Sequence, residues 1–61
     1  MFKIGQKISW LTLFCGKVNW VTGEIIEVYP SGEYANVRGE TLTGVKITDK
    51  LNIGDSSITF L

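Results

Sequence analysis

VNWVTGEIIEV, Val18 to Val28, is the stretch whose reading decides the fold. Taken as a strand that continues to Tyr29, it has Trp20, Thr22, Glu24, Ile26 and Val28 on one parity. Val21, Gly23, Ile25, Glu27 and Tyr29 lie on the other, and neither set is cleanly apolar. A straight, half-buried strand should present one apolar face, because its side chains alternate with a period of two. A bent strand that changes face escapes that demand, and the bend favours a residue without a Cβ. Gly23 is that residue, so the spacing predicts one long strand from Val18 to Tyr29 that switches faces near Gly23. Ile25 and Val28 then turn inward. Trp20 stays on the preceding arm, where core packing, contact with a partner or subunit, and stacking on a nucleic-acid base are all open to it.

The neighbouring segments read as strands too. Val, Ile, Thr, Tyr, Phe and Trp are frequent, glycine recurs from Gly5 to Gly54 like punctuation, and no window carries a capped helical repeat. Lys7–Phe14 is the predicted first strand, with Ile8 and Trp10 alternating against Lys7 and Ser9. Leu11, Leu13 and Phe14 cannot all share a face, which calls for a bulge or a face switch. Cys15-Gly16-Lys17 is a turn. In YPSGEY, Tyr29 to Tyr34, Pro30 pre-sets φ and Gly32 takes the left-handed position of a three-residue hairpin loop. Glu33–Arg38 is the expected third strand, with Ala35 and Val37 inward. Gly39-Glu40 reads as a turn, and Thr41–Ile47 as a fourth strand with Val45 and Ile47 inward. Thr48–Ile53 reads as a short or 3₁₀ turn plugged by Leu51. Ser57–Leu61 is the last strand, able to pair with the first or with a neighbouring chain. These expectations describe one all-β domain over residues 1–61: a five-stranded antiparallel barrel with a strongly bent second strand. Closure, or edge pairing in an oligomer, removes unpaired edges.

Composition narrows the chemistry. A chain of 61 residues buries only about 60% of its unfolded surface. Small scaffolds lean on disulfides, metals or partner subunits. One cysteine and no histidine rule out an internal disulfide and leave zinc only carboxylates, which suit it poorly. What remains is a tightly packed apolar core or an oligomer, and no cofactor or metal is expected. With no histidine the commonest general base is missing, Cys15 has nothing to activate it and reads as a buried structural residue, and no phosphate-binding glycine loop is present. Glu24 and Glu27, three apart in a strand, are expected on opposite faces rather than as a catalytic carboxylate pair. The expectation is therefore a protein that is not an enzyme. The apolar run Ile8–Phe14 precedes a cysteine, but Phe14 occupies the place where a cleavable signal needs a small residue. No stretch reaches the roughly 18 to 20 apolar residues of a membrane span. The expectation is a cytoplasmic chain that does not enter a membrane.

The pattern Gly5-Gln6-Lys7-Ile8-Ser9-Trp10, followed by Gly23-Glu24-Ile25-Ile26-Glu27-Val28, resembles the small SH3-like barrels of the Tudor and KOW type over residues 4–53. The resemblance implies binding of RNA, DNA, ribosomal or polymerase components, or modified peptides, and the fold alone does not choose among these. For a Tudor-like aromatic cage, which holds a methylated lysine by its ring faces, Trp10, Trp20, Tyr29 and Tyr34 are the available rings. A second likeness is to the plasmid-encoded type II dihydrofolate reductases, SH3-like chains that form a tetramer around a catalytic pore. Their pore strand V-Q-I-Y is similar to Val45-Lys46-Ile47-Thr48, but the residues that contact cofactor and substrate are replaced by Lys46 and Thr48.

Two classes of function follow. In the first, the chain is a non-enzymatic interaction module for a protein partner or a second copy. It would be an accessory protein, inhibitor or assembly factor of the type that phages and mobile elements encode. Leu11, Leu13, Phe14 and Trp20 are more apolar surface than so small a barrel hides, and Trp20, Tyr34, Leu13 and Phe14 are its expected contact residues. In the second, the chain is a nucleic-acid-associated barrel using Lys7, Lys17, Arg38 and Lys46, with Lys3 beside them. Six basic and six acidic residues leave a net charge of zero, which opposes phosphate binding. The first class is favoured.

Overall fold

The β-branched and aromatic residues of the chain are distributed over five strands in a computed structural model that describes Met1–Leu61 throughout. They are β1 Lys7–Phe14, β2 Lys17–Val28, β3 Tyr34–Thr41, β4 Lys46–Asn52 and β5 Thr59–Phe60. The single antiparallel sheet has the order β4-β3-β2-β1-β5. There is no helix, and hence none long and apolar enough to cross a membrane.

One face of this sheet makes the whole core. Ile8 and Trp10 from β1, Val21 and Ile25 from β2, Ala35 and Val37 from β3, and Leu51 from β4 are buried together with Phe2 of the N-terminal segment. No second layer covers them, so the sheet itself must wrap around its inner face. Trp10 spans the interior and donates its indole N–H to Asp49 on β4 at 3.0 Å. Full burial of each large apolar side chain is worth roughly 1.5–3 kcal/mol. The edge strands β4 and β5 do not pair with each other, so the expected barrel does not close through hydrogen bonds. The sheet stays open, and its core is completed by side chains: Phe2 packs on Phe60 with ring centroids 6.2 Å apart, and Val28, Ile47 and Ile58 pack against the core.

β2 organises the sheet. Its Lys17–Trp20 portion pairs only with β1, Val21–Glu24 pairs on both sides, and its last residues pair with β3. Beyond β1, the N-terminal segment continues the ladder through Gly5 N–H to Ile25 O and Ile25 N–H to Gln6 O, at 2.8 and 3.0 Å. The face switch falls at Ile26 rather than at Gly23. The β2–β3 register slips between Ile25 and Glu27, a bulge that puts Val21 and Ile25 inward before it and Val28 inward after it. Gly23 has a different task. It lies opposite Gly39 of β3, and a Cβ on it would fall on the Arg38 carbonyl oxygen and the Gly39 Cα. The two glycines let the strands approach closely at the bend.

That pairing corrects the middle of the sequence reading. Gly39-Glu40 is not a turn: β3 runs through both to Thr41. The turn follows at Leu42–Gly44, where Gly44 has φ +85° and Thr41 accepts the Val45 N–H through Oγ1 at 3.1 Å. Thr48–Ile53 is not a 3₁₀ turn: up to Asn52 it is β4, with Ile47, Asp49 and Leu51 facing inward. The Pro30–Glu33 loop is one residue longer than expected, though Gly32 does take the left-handed position at φ +75°. β5 returns to β1 through Ile8↔Phe60 and Ser9↔Thr59.

Candidate protein-contact surface

Beyond the level of Val21, β1 and β2 have no further strand beside them, and the one outside contact to their backbone is the Leu11 N–H, which donates to Ser57 Oγ at 3.2 Å. β3 first meets β2 at Val21↔Thr41, and β5 reaches β1 no further than Ser9. Leu11–Trp20 is therefore a two-stranded ribbon, here called the arm. Its register is unbroken from Lys7↔Glu24 to Phe14↔Lys17, so β1 has neither the bulge nor the face switch expected of it. The tip is a tight turn with Cys15 at φ 52° and Gly16 at φ 73°, the two left-handed residues of a type I′ hairpin.

Because Ile8, Trp10 and Val21 face the core, alternation sends Leu11, Leu13, Val18 and Trp20 to the outer face. They meet as cross-strand neighbours, Leu11 with Trp20 and Leu13 with Val18. Relative exposure is 37% for Leu11, 72% for Leu13, 66% for Val18 and 49% for Trp20. Scattered exposed apolar residues are ordinary, but an aromatic and three aliphatics in one uncharged cluster are the composition of a contact surface. Trp20 is a rim residue of the arm and does not belong to the core.

The expected contact residues divide. Trp20 and Leu13 share the outer face of the arm, while Phe14 lies at the tip on the opposite face. Tyr34 opens β3, at the other end of the β2–β3 hairpin from the arm, beside Tyr29, with ring centroids 6.3 Å apart. Val18 escaped the sequence reading, yet a two-residue turn at Cys15-Gly16 dictates that it pair with Leu13. Cys15 is exposed at the tip, not buried.

The four rings of the expected cage do not come together. Trp10 is buried and Trp20 is on the arm. Tyr29 and Tyr34 do form a corner, and the chain's own Lys50 occupies it, with its ammonium 4.8 and 4.7 Å from the two ring centres. Tyr29 donates to Asn36 Oδ1 at 3.5 Å, and Asn36 donates to Glu27 Oε1 at 2.6 Å.

The expected nucleic-acid residues are also dispersed. Lys7 and Arg38 share one carboxylate, Glu24, at 3.7 and 3.8 Å. Lys46 pairs in register with Glu40, and Lys17 is alone at the tip. A shallow polar concavity of about 430 Å³ lies on the outer face of β2 and β3, lined by Thr22, Arg38, Gly39, Glu40 and Lys46. Glu40 gives it mixed sign, unlike a phosphate cradle. The pore-strand positions Lys46 and Thr48 lie on exposed β4 sites opposite Glu40 and Arg38. Glu24 and Glu27 are not on opposite faces: the bulge at Ile26 brings them to one side, facing Arg38 and Asn36 respectively. No group of three or more His, Cys, Asp or Glu side chains is placed to hold a metal ion.

Compared with known proteins, the chain matches no family model, no curated protein and no solved structure. The likenesses to Tudor, KOW and reductase barrels therefore rest on residue pattern alone.

Proposed function

We propose that the chain is a small non-enzymatic interaction module of SH3-like type that binds protein through the outer face of the arm. The observation that carries this reading is the Leu11–Trp20 and Leu13–Val18 cluster, an exposed apolar face on a ribbon with no strand beyond it on either side. Aromatic and aliphatic side chains that are already ordered lose little freedom when covered, and a central tryptophan supplies the large contact area typical of interface anchors. The SH3-like assignment is supported by β5 returning to β1 and by the long β2 serving both halves of the sheet. A role on nucleic acid receives no comparable support, since the cations are spread over separate parts of the surface and two of them are already paired with Glu24.

The test is affinity capture from lysate with the wild-type chain, Trp20→Ala and Leu13→Glu, each checked for a native circular-dichroism spectrum. The reading expects a nuclease-resistant partner or self-complex that both variants lose. Capture that persists in both folded variants contradicts it.

A further inference from the structure

The outer face of β2, β3 and β4 carries its polar groups in rows. Thr22, Glu40 and Lys46 lie side by side across the three strands, and Glu24, Arg38 and Thr48 form the next row on that face. Between the rows, Gly39 gives backbone alone to the lining of the concavity of about 430 Å³. That volume lies within the usual range of small-molecule sites.

The charged groups around this space do not satisfy one another. Glu40 and Lys46 are opposite in register, yet they are not within ion-pair distance, and neither has another partner. Arg38 meets Glu24 only at 3.8 Å, too long for a hydrogen bond, so its guanidinium fork keeps free donors. Thr22 adds a hydroxyl, which can donate or accept.

The signs select the ligand. A lone anion is drawn by Arg38 and Lys46 but meets Glu40. A lone cation is drawn by Glu40 but meets two cations. A small molecule that carries both a carboxylate and an ammonium suits all three. Arg38 and Lys46 are diagonal neighbours on β3 and β4, a spacing of about 7–8 Å that long side chains close. Their charged ends can converge on one carboxylate, which arginine takes with two N–H donors. Glu40 and Thr22 lie on the β2 side of that diagonal, where they accept from the ammonium. No apolar side chain lines the concavity, so the remainder of the ligand must be small or polar.

We infer that this concavity binds a free α-amino acid with a small polar side chain, its carboxylate held by Arg38 and Lys46 and its ammonium by Glu40 and Thr22. The site uses none of the apolar residues of the arm and is independent of the reading of that surface. It is open to solvent and all its contacts are polar, so the expected dissociation constant is about 1 mM at low salt.

NMR titration of the full chain with L-serine at low salt tests it, with acetate and ethylammonium supplying each charge alone. Serine should shift the amides of Thr22, Gly39, Glu40 and Lys46 saturably, and acetate and ethylammonium should bind at least about 10-fold more weakly. Arg38→Gln, Lys46→Gln and Glu40→Gln change exposed side chains, and unshifted amides at Val21, Ile25 and Val37 verify that each variant is folded. Arg38→Gln and Lys46→Gln should each weaken serine about 5- to 10-fold. Glu40→Gln should weaken serine to a similar degree and tighten acetate, because it removes the one opposing charge. No saturable shift with serine up to about 100 mM, or binding unchanged in all the folded variants, overturns the site. Acetate that binds wild type as tightly as serine does, or that gains nothing from Glu40→Gln, overturns the amino acid as its ligand.

Discussion

Cys15 has φ 52°, a left-handed backbone that costs an ordinary L-residue about 1 kcal/mol and that asparagine tolerates better. Cys15→Asn should therefore stabilise the fold by about 0.5–1 kcal/mol, read as a higher urea midpoint at unchanged slope. Gly23 and Gly39 are constrained by space instead. Their backbones are so close that an added methyl group meets main-chain atoms that cannot swing away. Gly23→Ala or Gly39→Ala should cost about 3 kcal/mol or more, enough to unfold much of so small a protein. Asp49 holds the buried indole N–H of Trp10. Asp49→Ala leaves that donor unpaired and should cost about 1–3 kcal/mol in the same denaturation experiment. At this scale the sequence was partly legible. Ile8, Trp10, Ala35 and Val37 are inward as their alternation required. Asp49 was misread because a carboxylate in Thr48-Asp49-Lys50 has the composition of a turn, and its indole partner is far away in the chain. Cys15 was misread because burial is the commoner fate of a free cysteine, whereas here the tight turn exposes it.

At the scale of elements, β1 was legible to the residue and β2 to within one residue at each end. Both end where turn chemistry is local. The bend was legible as a need and misplaced in position. Gly23 answered a requirement for a missing Cβ, but that requirement came from Gly39 across the sheet, a long-range fact. The bulge at Ile26 has no local marker, since isoleucine suits both faces. Taking Gly39 for a turn shortened β3 and displaced β4, one error producing the other. The arm also has a dynamic consequence. An isolated two-stranded ribbon is marginal in water, and amide protection follows local stability. Under monomeric conditions, hydrogen exchange should be fast at Leu13 and through Cys15–Lys17, and slow at Val37 and Ile25. Association should slow the arm more than β3. Slow exchange along the arm in the monomer contradicts the account of it as a ribbon without flanking strands.

For the whole molecule, the all-β architecture was legible in glycine spacing and strand-forming composition, and the return of β5 to β1 was among the pairings left open. Closure was not legible, because it depends on how far the sheet curls. The core is small: 9 of 61 residues are buried, so much of the apolar content stays outside, and the arm holds a contiguous share of it. The charges are arranged against a polyanion. Glu24 engages Lys7 and Arg38 together, and Lys17 stands apart. Heparin or oligonucleotide columns should therefore retain the chain weakly at about 50 mM salt, without the steep loss by about 200 mM that several phosphate contacts produce. Strong, salt-sensitive retention contradicts this.

The central claim is that Trp20 serves contact and not the core. The most direct measurement compares unfolding free energy and lysate capture for wild type and Trp20→Ala. Stability is read at a protein concentration too low for association, so that linkage does not enter. The account predicts a stability loss of about 1 kcal/mol, with capture abolished. A loss of about 3–5 kcal/mol, the cost of emptying a buried tryptophan site, or capture that survives in the folded variant, contradicts it.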